Sequence, residues 1–395
     1  MKILHVITSL SPDEGGLPEI VKNLSSEQNK SKKVSDILTT HLSKSVKYED
    51  QTLRLNIFSF KRNFLTNICF SIGFINFLKK KITDYDLVHI HGLYRFPTLY
   101  AAYLSKNNNI PYIISPHGSL DPYLYKQSKK NIFIKRIWEF FFEFKFLKNA
   151  NAIHCTSHIE KKKILKYRFN NKIIIIPIFI SNLFFIKTKL KKNFRKEIKT
   201  SSKSFNIVFI GRINFKKGLD LLIPAFKKVN LEFKNSKLII IGPNNEKYLE
   251  DTIIPLIKKN NISKDIIFHN AIYDKKKLIN CYRESDLFIL PSYTENFGLS
   301  IFEAISQKIP IIVSDQIDMV KIIKKNNLGL ICKCEINSIY SSIKKIIKEK
   351  KNKILLNRSF NYVYKNFSSK KIEPKFYKEY KKIIFNHKKK LIFKF

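Results

Sequence analysis

Short apolar runs recur along the chain, each closed by turn-forming or charged residues. KILHVI (2–7) is the first, and LVHIH (87–91), YIIS (112–115), AIHCTS (152–157) and IIIIP (173–177) follow. These runs are apolar on both faces, the pattern of strands in a parallel sheet covered on both sides. After KILHVI comes the turn-rich SPDEGG, and Pro18 then opens EIVKNLSSE. Proline near the first helical position with acids close by marks a helix start, so the opening reads strand, glycine turn, helix. The alternation lapses in the basic stretch SNLFFIKTKLKKNFRKEIKTSSKS (181–204) and then restarts. FNIVFIG (205–211) predicts a strand and LDLLIPAFKKV (219–229) a helix. KLIIIG (237–242), DIIFHN (265–270), LFILPS (287–292) and PIIVSD (310–315) predict further strands. The last segment, 370–395, is basic and aromatic with helical periodicity.

This pattern predicts an α/β chain of two doubly wound, Rossmann-like domains facing each other across a cleft. The expected division is a first domain over 1–185, a linker over 186–204 and a second domain over 205–370. A basic helix over 371–395 is expected to pack back on the first domain. A length of 395 residues agrees with two cores, and 44% hydrophobic residues, with 33 Phe and 18 Tyr, supply the material for them.

Charge changes the picture less than its size suggests. The net charge is +43, from 74 Lys and Arg against 31 Asp and Glu. Attraction to an anionic partner and a compositional drift toward Lys, Asn, Ile and Phe both explain it, and the lysines are spread along most of the chain. No helix-turn-helix, zinc-finger or RNP signature is recognised, so nucleic acid is not expected as a partner. The five cysteines include no C-x-x-C pair, which argues against a disulfide framework or a zinc site and for a reducing compartment. The N-terminal apolar run is too short for a signal peptide. FLTNICFSIGFINFL (64–78) falls short of the ~20 residues that span a bilayer. It reads as a packed helix or as one lying on a membrane surface, and FFFEFKFLK (140–148) carries the same two readings.

Candidate chemistry gathers in the second half. GRINFKKG (211–218) lies between a predicted strand and a predicted helix and sets Arg212 and Lys217 in one short loop. A guanidinium grips phosphate oxygens bidentately and an ammonium adds a point charge. SYTENFGLSIFEAIS (292–306) brackets a Phe-Gly pair with Glu295 and Glu303. A helix starting near Phe297–Gly298 would offer free N–H groups and a positive dipole end to a phosphate. Were both glutamates helical, they would lie ~80° and ~12 Å apart, too far to share a proton. Two separate contacts with one extended ligand fit better.

Together these motifs resemble the retaining glycosyltransferases of family 4, of GT-B fold, the glycosyl transferases group 1 of bacterial polysaccharide type. The resemblance rests on G-R-x(4)-K-G followed about eighty residues later by E-x(7)-E, with YDLVHIHG, ISPHGSLDPY, AIHCTSHIEK, NFRKEI, CYRESDLFILPSYTENFGLSIFEAI and PIIVSD in the family order. It implies that Arg212 and Lys217 bind the donor diphosphate and that Glu303 takes the nucleotide ribose. Glu295 would contact the donor sugar, helped by backbone amides of Asn296, Phe297, Gly298 and Leu299. Gly15 and Gly16 match the glycine loop near the donor phosphate and the acceptor, and His117 matches a residue at the sugar. Catalytic roles are thus implied for His117, Arg212, Lys217 and Glu295. His89 and His91 read as structural, as does Glu160. Asp84-x-Asp86 mimics a metal motif but reads as the lead-in to LVHIH.

The implied reaction moves a sugar from a UDP- or GDP-linked donor to a saccharide or lipid-linked saccharide, with retention and without cofactor or metal. Cell-surface polysaccharide such as lipopolysaccharide, capsule or exopolysaccharide is the implied product, made by a cytoplasmic enzyme at the inner face of the cell membrane and in peripheral contact with anionic lipid. Three departures from the family pattern are expected to bear on the sugar side and the hinge. Lys308 stands where glycine is usual, PIFIS (177–181) replaces Pro-Asn-Gly, and QIDMVK (316–321) replaces a Gly-Gly-x-x-Glu stretch. A non-enzymatic binder of anionic polymers or nucleic acid and a GT-B phosphorylase or epimerase stay open as alternatives.

Overall fold

A computed structural model of the chain describes residues 1–31, 33–42, 54–125, 136–169, 171–186, 193–244, 247–349 and 352–392. The chain forms two units: Met1–Phe179 with Ser369–Phe395, and Ile180–Ser368.

The first unit holds a sheet of seven strands: β1 (Lys2–Ile7), β2 (Val34–His41), β3 (Asn56–Lys61), β4 (Leu87–His91), β5 (Tyr112–Ser115), β6 (Ala152–Cys155) and β7 (Ile173–Ile175). Their order is β3-β2-β1-β4-β5-β6-β7 and every pairing is parallel. The second unit repeats the plan with β8 (Phe205–Ile210), β9 (Ser236–Ile241), β10 (Ile266–His269), β11 (Leu287–Leu290), β12 (Ile311–Ser314) and β13 (Leu330–Cys332), in the order β10-β9-β8-β11-β12-β13. In each sheet the order reverses beside the first strand, and ligands of such sheets bind past the strand carboxyl ends at that point.

Burial on both faces explains the apolar runs. Leu4 and Val6 of β1 join Phe74, Leu78 and Ala101 in one core, while Ile3 joins Leu24, Ile372, Phe376 and Tyr380 on the opposite face. The helix Ser369–Ile392 therefore closes the second face of the first sheet. In 64–78, the helix Ile72–Lys81 buries Phe74 and Leu78 in the core. Among the described residues no helix is long and apolar enough to cross a membrane.

Three strands escape the apolar-run pattern: β2 (VSDILTTH), β3 (NIFSFK) and β13 (LIC). In β2 the polar residues are buried because they find partners. The Asp36 carboxylate accepts from the Tyr85 hydroxyl at 2.8 Å and from the Asn56 amide at 3.1 Å.

The chain crosses between units at Phe179–Ile180, ahead of the 186–204 stretch expected as the linker. The described part of that stretch is tied into the second unit. Glu284 accepts from the Phe194 and Arg195 N–H groups at 3.2 and 3.0 Å, and Arg195 pairs with Asp286 at 2.7 Å. Ile180 N–H donates to the Phe367 carbonyl at 2.8 Å, so 180–186 also begins in the second unit.

Candidate active site

Arg212 and Lys217 lie in the loop between β8 and the helix Leu219–Glu232, at the carboxyl end of the central strand. Within it Phe215–Lys217 makes one 3-10 turn, opened by Asn214, whose side chain accepts from the Lys216 N–H. Gly218 ends the turn at φ +69°. A Cβ there would stand 2.1 Å from the Pro291 carbonyl oxygen, so the close approach of this loop to the one after β11 requires glycine.

The loop after β11 carries Glu295. It is pinned to the first loop by the Tyr293 N–H, which donates to the Lys216 carbonyl at 2.8 Å, and by the Tyr293 hydroxyl, which donates to Asp220 at 2.7 Å. The Lys217 ammonium and the Glu295 carboxylate form an ion pair. Glu295 is held on its other side through its backbone: its carbonyl accepts from the Asp318 N–H at 2.8 Å, and it bridges to Ile317. The segment QIDMVK therefore supports Glu295 by main-chain bonds that do not need the usual glycines. Arg212 has no ion-pair or side-chain hydrogen-bond partner among the described residues.

The helix Leu299–Ser306 starts one residue past the expected Phe297–Gly298. Gly298 is its N-cap at φ +72°, and no side chain caps it, which leaves the first N–H groups open. A Cβ on Gly298 would lie 3.2 Å from Glu295 Cγ, so the helix start and the Glu295 side chain are neighbours. Phe297 turns inward. It is buried and stacks on Phe302 at 4.8 Å between ring centroids, which leaves its backbone as its only route to a ligand. Asn296 lies between Glu295 and this anchor, and Leu299 is the first helical residue.

Glu303 lies in that helix, largely buried, and accepts from the Tyr282 hydroxyl at 3.0 Å. Burial, together with the Glu303 charge, pushes the Tyr282 phenol well above its ordinary value, so it stays a donor to the carboxylate. Lys308 takes φ +58° two residues past the helix end. The family glycine it replaces is therefore a helix-terminating position, and the departure bears on capping, against the expectation that it touches the sugar side. The Lys308 ammonium lies over the Phe360 ring at 4.8 Å.

Gly15, Gly16 and His117 belong to the first unit. Gly15 takes φ +84° and Gly16 opens the helix Gly16–Lys30. A Cβ on Gly16 would meet nothing within 4 Å, so no contact within the protein demands glycine there. His117 sits after β5 at φ +50°. Its turn is held by Glu160, which accepts from the Gly118 N–H at 2.8 Å and from the Thr156 N–H at 2.7 Å. Asp86 accepts from the Lys2 N–H at 2.8 Å, and Asp84 pairs with Lys81 at 3.2 Å. The structure thus brings Lys217, Glu295 and Gly298 together within the second unit, with Arg212 in the loop of Lys217 and Glu303 in the helix that Gly298 caps. Tyr293, Asp220 and Tyr282 complete this cluster. The sequence carries no signal for their roles, because each acts through a residue far away in the chain.

Comparison with known proteins bears on the family and the fold. Residues 14–181 match the family described as Glycosyltransferase Family 4, and residues 191–365 match Glycosyl transferases group 1. An uncharacterized 41.2 kDa protein in the cps region of Klebsiella pneumoniae is 24% identical over 85% of this chain and 87% of its own. An uncharacterized glycosyltransferase of Methanocaldococcus jannaschii is 26% identical over 58% of this chain; the match spans 56% of that protein's length. Anabaena HepE in complex with UDP and glucose superposes with a TM-score of 0.75 at 15% identity, over 96% of this chain and 99% of its own. Two parallel-sheet units, each with its family match, make this chain a member of glycosyltransferase family 4, with the GT-B fold and the activity class of a transferase.

Proposed function

We propose that the chain transfers a sugar from a UDP-linked donor, with retention, to a saccharide or lipid-linked saccharide in cell-surface polysaccharide synthesis. The single observation that carries the donor reading is the cluster in the second unit. There Lys217 pairs with Glu295 beside an uncapped helix start, Arg212 shares the loop of Lys217, and Glu303 lies in the helix itself, held by Tyr282. The diphosphate would take Arg212 and the open N–H groups at Gly298–Leu299. Lys217 would turn from Glu295 to the phosphate, which releases Glu295 for the sugar hydroxyls. Glu303, fixed by Tyr282, would accept from the ribose hydroxyls. The departing diphosphate gains charge in the transition state, and prearranged cations with low reorganisation lower that barrier most. On this reading no metal is needed, because two cations and a helix dipole meet the diphosphate. Uridine is preferred over guanosine because HepE, of the same fold, is described with UDP. The cps-region relative supports a polysaccharide product.

The measurement is thermal unfolding with nucleotides. At a hundredfold excess over Kd, UDP is expected to raise Tm by about 5–10 °C. Glu303→Ala should remove the shift. An absence of any shift with UDP, GDP and ADP would count against the donor site, while a shift with GDP alone would count against uridine.

Peripheral association with anionic lipid belongs to the same reading and is supported by the turn Glu139–Glu143 and the helix Phe144–Asn149. Here the acids point in and the aromatics point out. Glu139 accepts from the Tyr94 hydroxyl and Glu143 from the Tyr94 N–H, each at 2.5 Å. Phe140, Phe141 and Phe142 are 71%, 62% and 46% exposed, with Arg136, Lys145 and Lys148 exposed beside them. Exposed aromatics flanked by cations suit the headgroup region of an anionic bilayer. Vesicle co-sedimentation checks this: a variant with Phe140→Asp and Phe141→Asp should bind phosphatidylglycerol vesicles at least about tenfold more weakly, from lost apolar insertion. Equal binding by both proteins would remove the lipid contact from this turn.

A further inference from the structure

The first unit exposes a second group of apolar side chains besides Phe140, Phe141 and Phe142. Five aromatic rings follow one another there: Phe64, Phe70, Phe96, Tyr100 and Tyr103. Their centroids lie 4.8, 4.8, 5.3 and 6.1 Å apart along the row. Phe96, Tyr100 and Tyr103 stand at i, i+4 and i+7 of the helix Phe96–Asn107 and share one side of it. Phe64 and Phe70 come from the loop between β3 and the helix Ile72–Lys81. Phe64 is 63% and Tyr103 47% exposed at the two ends of the row. Leu65 and Ile72, in the same stretch as Phe64, are 59% and 47% exposed. Leu65 even takes φ +56°, a left-handed backbone that disfavours leucine. Single exposed apolar residues are ordinary, but a contiguous row of them marks a contact surface.

The two apolar groups lie on one face of the first sheet, where Phe74, Ala101 and Leu147 of their helices share a core. Three consecutive residues join them. Tyr94, at φ +67°, donates its hydroxyl to Glu139 and its N–H to Glu143. Arg95 and Phe96 follow it, so Tyr94 fastens the turn Glu139–Glu143 to the aromatic row. This joint lies past the carboxyl end of β4, the end of the sheet that also carries Gly15 after β1 and His117 after β5. Charge is one-sided as well. Between residues 61 and 106 stand seven Lys and Arg and two acids, Asp84 and Asp86. Both acids precede β4, at its other end, where Asp84 pairs with Lys81 and Asp86 accepts from the Lys2 N–H. Glu139 and Glu143 are buried, while Lys61 and Arg95 are exposed.

We propose that the aromatic row, Arg95 and the turn Glu139–Glu143 form one surface that lies on an anionic bilayer, with the loop Gly92–Phe96 at the level of the headgroups. Anionic headgroups complement Lys61 and Arg95, and the rings suit the boundary with the acyl chains. A second copy fits worse, because a chain of net charge +43 would bring cations against cations. This deepens the lipid reading of the turn and rests on it. It sets the carboxyl end of the first sheet beside the headgroups, which favours the lipid-linked acceptor of the proposed reaction.

The test is binding of the full chain to phosphatidylglycerol vesicles. Phe64→Asp with Leu65→Asp removes apolar groups from the row. Lys375→Gln with Lys378→Gln lowers the net charge by the same amount, on the helix that closes the opposite face of the sheet. All four positions are exposed, so Tm should stay near that of the parent. The first pair is expected to bind about tenfold more weakly than the parent, from lost apolar insertion, and the second pair within about threefold. Equal losses in the two pairs would show that net charge alone attracts the chain, and would overturn the proposal. So would a dimer in sedimentation that the first pair dissolves. Trp138, the one tryptophan, stacks on Phe142 at 4.8 Å and reports the turn separately. Brominated phosphatidylglycerol should quench its fluorescence. An unquenched Trp138 in vesicle-bound parent sinks the reading of the turn and this proposal with it. A quenched Trp138 together with parent-like binding by the first pair sinks this proposal alone.

Discussion

Arg212→Ala is expected to lower kcat/KM about 10²–10³-fold, the usual cost of removing one charge-stabilising donor from a transition state. The fold should hardly notice. Arg212 has no ion-pair or side-chain hydrogen-bond partner among the described residues, so its loss breaks no internal bond. Tm should stay within about 1 °C of the parent, as for a surface substitution away from structural features. Lys217→Ala is a poorer probe, because it also strands the Glu295 carboxylate with which Lys217 pairs. Arg212→Lys sharpens the test. Lysine keeps the charge but loses the bidentate fork, so an intermediate loss of about tenfold is expected. Steady-state kinetics with a nucleotide sugar decide the matter, and an alanine variant within threefold of the parent would remove Arg212 from the diphosphate site.

Gly218→Ala is expected to destabilise the second unit by about 2–5 kcal/mol, from the left-handed backbone and forced overpacking together. The residue sits at φ +69°, and its Cβ would come 2.1 Å from the Pro291 carbonyl oxygen, a main-chain atom that cannot swing aside. Moving it drags the loop that carries Tyr293 and Glu295, so nucleotide binding should fall with stability. Tm is expected to drop by roughly 5–15 °C. Gly16→Ala is the control, since a Cβ there meets nothing within 4 Å. A Gly218→Ala protein with the parent Tm would show that the two loops can part without cost.

Much of the fold was legible because strands buried on both faces must be apolar on both faces. Runs such as KILHVI, LVHIH and LFILPS announce themselves, and all lie in the central strands β1, β4 and β11. The strands that escaped lie away from the centre. β3, β7, β10 and β13 are sheet edges, and only IIIIP of β7 and DIIFHN of β10 were apolar enough to read. β2 is buried but polar, and nothing in VSDILTTH says that Tyr85 and Asn56 will satisfy Asp36. The linker was misplaced for a related reason. Its basic, polar composition reads as solvent-exposed, but Arg195 and the Phe194 and Arg195 N–H groups have partners in Asp286 and Glu284, about ninety residues on.

The sequence by itself determined which residue types stand at the site and in what order: a guanidinium and an ammonium in one loop, two carboxylates around a Phe-Gly helix start. Local chemistry suffices for that, because a loop after a strand and a helix N-terminus are written in short stretches of residues. Only the tertiary structure decided how these pieces are joined. Lys217 meets Glu295, Tyr293 ties one loop to the other, and Gly218 exists to let them touch. It also decided that Phe297 faces the core, that Lys308 terminates a helix, and that His91 of HIHG bonds to His117. Such facts depend on which strands become neighbours. That is settled by packing two sheets against their helices, a long-range balance that no single stretch of sequence records.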